Sequence, residues 1–159
     1  MPDMLVKLYE LPEVVNNIEA LRNQEIFIKR VLSPDKNKII EYVRKNFNEN
    51  WVNECDCSFS NNPISCFIAV KDKQVIGFAC YDATAKNYFG PTGISEIHRG
   101  MGIGKALLLK CLFAMRENGY GYAIIGGADE AIKFYEKTVD ASVIEGSVPG
   151  IYKRMIEIE

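Results

Sequence analysis

Residues 99–105 read Arg-Gly-Met-Gly-Ile-Gly-Lys, with glycine at every second position, and run straight into the mostly apolar stretch 106–115. Bare glycines let a ligand approach backbone N–H groups that a side chain would shield. The first turn of the helix that follows leaves its own N–H groups unpaired, at the positive end of the helix dipole. Such a turn holds an anion, most often a phosphate or pyrophosphate. The standard nucleotide patterns fit badly. In a P-loop frame the first glycine position is Arg99 and the Ser/Thr position is Ala106, so the hydroxyl for magnesium is missing. In a dinucleotide frame the third glycine position is Leu107. The bland alternative is a glycine-rich strand-to-helix connection without a ligand, but three glycines in five residues exceed what helix entry needs.

Arg99, Gly102 and Gly104 make an R-x-x-G-x-G pattern that resembles the pyrophosphate loop of the GNAT superfamily of acyl-CoA-dependent N-acetyltransferases. Val75-Ile76-Gly77-Phe78-Ala79-Cys80-Tyr81 is similar to the superfamily's I-G-F strand, and Tyr88–Ile94 stands where its thioester-lining strand would be. Ala131-Ile132-Lys133-Phe134-Tyr135-Glu136-Lys137 resembles its A-x-x-F-Y-E-K helix. Phe27-Ile28-Lys29-Arg30 with Ser33-Pro34-Asp35 resembles the opening strand and helix start. The resemblance covers residues 26–156 and is strongest over 75–137. Two departures stand out: Ala128 occupies the place of a usual Asn, and Thr138-Val139-Asp140-Ala141 replaces Leu-Gly-Phe at the last helix's exit.

The resemblance implies an α/β fold: a mixed, mostly antiparallel twisted sheet of six or seven strands, flanked by helices, with the central strands splayed. It implies one N-acetyltransferase domain over 1–159. The implied activity is transfer of an acetyl group from acetyl-CoA to a primary amine of a small molecule or peptide by direct attack. The alternative is a non-catalytic acyl-CoA-binding sensor or assembly module.

The 159 residues, 48% hydrophobic and 25% charged, suit one globular domain with a sizeable core. A formal net charge of −2 argues against a nucleic-acid partner. Asp3, Lys7 and Glu10 interrupt any secretion signal, and the run 106–115 is too short to span a bilayer, so a cytoplasmic protein with no membrane partner is expected. The cysteines are Cys55, Cys57, Cys66, Cys80 and Cys111, an odd number that speaks against a disulfide framework. Cys55-Asp56-Cys57 lacks a second ligand pair, so no metal is expected. Cys66, Cys80 and Cys111 read as buried small hydrophobes.

The pattern predicts strands near 5–9, 25–32, 64–70, 75–82, 88–94, 122–125, 142–144 and 151–156. It predicts helices from Pro12 to about residue 23, from Ser33-Pro34 onward, over 102–118 and over 129–137, with a loop over 51–63. The first 25 residues are read as an added lid or homodimer element.

Candidate site residues follow from the same resemblance. Backbone amides of Arg99, Gly100, Met101, Gly102, Ile103, Gly104 and Lys105 would take the pyrophosphate. Thr92, Gly93 and Ile94 would pair with the pantetheine arm as an added strand, with Pro91 and Gly93 favouring a break in the sheet. The N–H near Ile94 is the candidate oxyanion donor. Tyr135 matches the tyrosine that protonates the departing CoA sulfur. Glu96 is the candidate base, with Glu54 and Asp82 as alternatives. Trp51, Glu54 and Asp82 are placed on the acceptor side, where an aromatic ring and carboxylates suit a cationic amine. His98 is expected to face solvent.

Overall fold

Cys66–Lys71 and Gln74–Tyr81 are joined by only two residues, Asp72 and Lys73, and the computed structural model, which describes residues 1–157, folds them as a hairpin at the sheet's centre. Both turn residues take positive φ, 50° and 63°, the backbone of a turn whose twist matches the strands it joins. The strands are β1 (Met4–Lys7), β2 (Phe27–Arg30), β3 (Cys66–Lys71), β4 (Gln74–Tyr81), β5 (Tyr88–Ile94), β6 (Tyr122–Ile125) and β7 (Ser142–Val143). They form one sheet in the order β2-β3-β4-β5-β6-β1-β7. Every pair is antiparallel except β5 and β6. The helices are α1 (Val15–Arg22), α2 (Lys36–Asn46), α3 (Glu49–Ser58), α4 (Ile103–Glu117) and α5 (Ile132–Val139).

Alternation along β3 sends Phe67 and Ala69 into one core and Cys66 and Ile68 into the other. The first core lies under α4, whose Leu107, Leu108, Leu112 and Met115 are wholly buried. Truncating Leu107 or Leu112 to alanine would cost about 2–5 kcal/mol. The second core packs Ile39 and Val43 of α2 and Val52 and Cys55 of α3 on Phe78 and Cys80. Burial on both faces explains why β3 and β4 read as apolar runs. No described helix is long and apolar enough to cross a membrane.

Two segments differ from the sequence expectation, and the strand expected near 5–9 is present as β1. The N-terminal segment, read as an added lid or homodimer element, inserts β1 into the sheet between β6 and β7. Its alternating Met4, Val6 and Leu8 are each 0% exposed, and the Leu8 N–H donates to the Gly121 carbonyl at 3.1 Å. Residues 151–156, expected as a closing strand, instead contribute to a 3-10 turn over Gly150–Arg154. Pro149 supplies no N–H, and Gly150 takes φ 64°, outside strand geometry. The stretch expected as a loop over 51–63 opens with α3. The Asn48 side chain accepts from the Trp51 N–H at 2.9 Å and caps that helix.

Candidate active site

The site begins where β5 leaves its neighbours. β4 and β5 pair through Gly77↔Ile94, Phe78↔Gly93 and Ala79↔Thr92, then slip before Tyr81↔Phe89. Three steps along β5 thus match two along β4, a bulge at Gly90-Pro91. Gly90 takes φ 120°, and Pro91 has no donor to offer. On its other edge β5 meets β6 only at Tyr88↔Ile124 and Phe89↔Ile125, so the strand past Phe89 is splayed away. The Ser95 N–H donates to the Ile76 carbonyl at 2.8 Å. Strand alternation therefore turns the N–H groups of Thr92 and Ile94 toward the open edge.

Beyond β5 the chain makes a short turn over Glu96–His98 and enters the glycine-rich segment. Gly100 and Gly102 have φ 81° and 86°, which a side chain rarely tolerates. Asn17 of α1 donates from Nδ2 to the Gly102 carbonyl at 3.2 Å and props the turn from behind. Among the described residues, no backbone oxygen accepts from the N–H groups of residues 100–105. These free donors gather at the start of the 15-residue helix α4, flanked by exposed Arg99 and Lys105. That is the chemistry of an anion cradle.

A cleft of about 1130 Å³ opens at the splay. Thr92 lines one side, Gly126, Gly127 and Tyr135 another, and Trp51 and Glu54 of α3 a third. Tyr135 is 6% exposed, with its ring edge-on to Phe89 at 6.4 Å. Burial pushes its phenol up to about 12, so it stays protonated throughout the neutral range. Glu54 accepts a hydrogen bond from Thr84. Burial raises its carboxyl above the ordinary carboxylate range, and the Thr84 hydroxyl partly opposes that rise.

Gly93 lies beneath an aromatic cluster: a Cβ there would sit 2.4 Å from Phe47 Cζ. Phe47 in turn stacks beside Trp51 at 5.1 Å and Phe78 at 5.5 Å. The Tyr42 hydroxyl shares a 2.7 Å hydrogen bond with Ser95. The strand β5 and the helix α3 are thereby packed through one ring.

Other predicted residues stand elsewhere. Glu96 is exposed on the turn after β5 and does not line the cleft. Asp82 also stays out of the lining. It accepts from the Asn87 N–H at 2.8 Å and the Tyr120 hydroxyl at 3.1 Å, which pins the β4–β5 connection. His98 is half-buried rather than solvent-facing, and its Nδ1 is shielded from water without a partner among the described residues.

Two cleft residues escaped the sequence reading. Thr84 supports Glu54, and Tyr152 arrives from the C-terminal 3-10 turn. Tyr152 is held up chiefly by burial and then by the nearby Glu54 charge. Its hydroxyl lies 3.0 Å from where a Gly126 Cβ would be. The Gly126-Gly127 pair was the available signal that something approaches this backbone closely.

The sequence model of the acetyltransferase (GNAT) family matches residues 26–140, and the chain belongs to that family. No curated protein matches it. Among solved structures, it resembles the N-acetyltransferase region of a fungal multi-domain GH3 β-N-acetylglucosaminidase at 14% identity and TM-score 0.70, covering 90% of this chain and 19% of that one. It resembles a GCN5-related N-acetyltransferase from Sphaerobacter thermophilus at 20% identity and TM-score 0.68, covering 90% and 48%. It also resembles YhbS of Escherichia coli, solved with CoA, at 21% identity and TM-score 0.56, covering 69% and 66%. The chain thus spans about a fifth and about half the length of the first two relatives. At these identities the likeness speaks for the fold, the acyl-CoA N-acyltransferase arrangement of a splayed, mostly antiparallel sheet.

Proposed function

We propose that this protein is an N-acetyltransferase that moves the acetyl group of acetyl-CoA to the primary amine of a small molecule or peptide by direct attack. The observation that carries this reading is the open edge of β5 leading into a turn of unpaired N–H groups. That combination suits a ligand with an extended amide arm at one end and a pyrophosphate at the other. The free donors of residues 100–105 would hold the pyrophosphate, with Arg99 and Lys105 adding charge. Thr92 and Ile94 would pair with the pantetheine amides.

Acetyl-CoA supplies an activated acetyl group as a thioester. Glu54 in its ionised form takes a proton from the incoming ammonium, and the neutral amine then attacks the thioester carbonyl carbon. Trp51 and the Glu54 charge favour a cationic acceptor. The Ile94 N–H faces the carbonyl oxygen as negative charge develops on it, a contact worth about 3 kcal/mol in such reactions. Tyr135, held as a phenol, gives its proton to the departing sulfur as the C–S bond breaks, and the second proton shed by the nitrogen restores the phenol. The base is assigned to Glu54 rather than Glu96 because only Glu54 lines the cleft.

The test is release of free CoA thiol from acetyl-CoA across a panel of amines, with Tyr135→Phe in parallel. Amine-dependent release that falls in the variant supports the proposal. Acetyl-CoA binding without release on any amine would favour a non-catalytic acyl-CoA-binding module, the reading that Ala128 in place of the usual Asn speaks for.

A further inference from the structure

Three of the five cysteines converge on one point. Cys66 of β3 and Cys80 of β4 are direct cross-strand partners, and Cys55 reaches them from α3. Their Sγ atoms all lie within 4.8 Å of one another. Each residue is 0% exposed and unoxidised, in the apolar layer with Val43, Ile68 and Phe78.

Metal–sulfur bonds of about 2.3 Å would set the sulfurs of a trigonal site about 4 Å apart, so this triangle needs little tightening to hold an ion. Among the described residues no fourth Cys, His, Asp or Glu joins the group, and full burial keeps water from supplying a fourth ligand. Zinc structural sites take four ligands, whereas soft thiolate sets suit monovalent copper.

We propose that Cys55, Cys66 and Cys80 form a buried three-sulfur site for monovalent copper. Binding breaks the three S–H bonds, releases their protons to solvent and forms three S–Cu bonds, and no electron is transferred. Cys55 follows Glu54 on α3, so loading the site ties the helix that carries Trp51 and Glu54 to the central hairpin. The proposal stands independently of the acetyltransferase reading.

The test is an anaerobic titration of the full, reduced chain with Cu(I) held by a coloured competing chelator. The expected result is withdrawal of one copper per chain, unchanged in Cys57→Ser and Cys111→Ser. Cys55→Ser and Cys80→Ala should each weaken binding by about 100-fold or more. Copper-edge X-ray absorption of the loaded wild-type protein, which does not depend on how well a variant folds, should show three sulfur neighbours. The proposal is overturned if no copper leaves the chelator, if Cys57→Ser abolishes binding, or if absorption shows fewer than three sulfurs. Equally tight Zn(II) binding with a fourth, lighter ligand would also overturn it.

Discussion

The region proposed for CoA and the cleft wall proposed for the acceptor present different kinds of atom. On the first, the free groups are backbone N–H groups, those of Thr92, Ile94 and residues 100–105, placed by a bulge, a splay and two left-handed glycines. On the second, the lining groups are side chains: Trp51 and Glu54 from α3, Thr84 from the β4–β5 connection and Tyr152 from the C-terminal turn. A backbone site is specified within one short stretch of chain. A side-chain site draws on segments about a hundred residues apart. Under the proposed function, the first would serve a fixed cofactor and the second would set the choice of acceptor.

The sharpest way to break this contrast is to attack the backbone wall. Gly102→Glu places a side chain at φ 86° and a carboxylate where an anion is expected. Acetyl-CoA affinity measured by calorimetry should fall by about 100-fold or more, some 2.7 kcal/mol. Wild-type affinity in this variant would move the cofactor off the turn. Next comes Tyr135→Phe, which keeps the ring and loses the proton. The expected result is a kcat lower by about 100-fold with acetyl-CoA affinity nearly unchanged. A matching loss of affinity would make Tyr135 a binding residue.

Glu54→Gln tests the side-chain wall, with kcat/KM expected to fall by about tenfold or more. Because burial raises the Glu54 carboxyl, wild-type kcat/KM should climb with pH through an acidic limb that lies above the ordinary carboxylate range. Glu54→Gln should flatten that limb. Thr84→Val should have a smaller effect. It removes the hydrogen bond that favours the ionised carboxylate, so the limb should move to still higher pH with little loss at its plateau. The smallest effect is expected for Glu96→Gln, whose carboxylate is exposed outside the cleft. A pH profile altered as much as that of Glu54→Gln would return the base to Glu96.

The same division decides how much the chain disclosed in advance. Glycine spacing over 99–105 and the Pro91-Gly93 pair pointed to the turn and the break in the sheet, because each asks for a backbone conformation that few residues allow. The strands β3 to β6 and helix α4 were readable from apolar patterning. The departure at Thr138-Val139-Asp140 was readable, but its outcome was not. Asp140 adopts the left-handed conformation (φ 54°) and closes α5 where glycine usually would. One signal was present but overlooked: Asn48 caps α3. The strand expected near 5–9 is β1, whose Met4 and Val6 are buried. The partnership of Glu54, Thr84 and Tyr152 had no local signal, since it exists only once α3, the β4–β5 connection and the C-terminal turn are brought together. The convergence of Cys55, Cys66 and Cys80 was hidden in the same way.

The most direct test of the backbone wall is to follow the amide resonances of the protein during titration with acetyl-CoA. The largest shifts should fall on Thr92, Ile94 and residues 100–105, with the cross-strand amide of Gly93 moving less. A second concavity of about 490 Å³, bounded by Phe27, Lys29, Asp35 and Lys38, serves as an internal comparison and should stay still. Shifts concentrated there, with the glycine turn silent, would contradict the account.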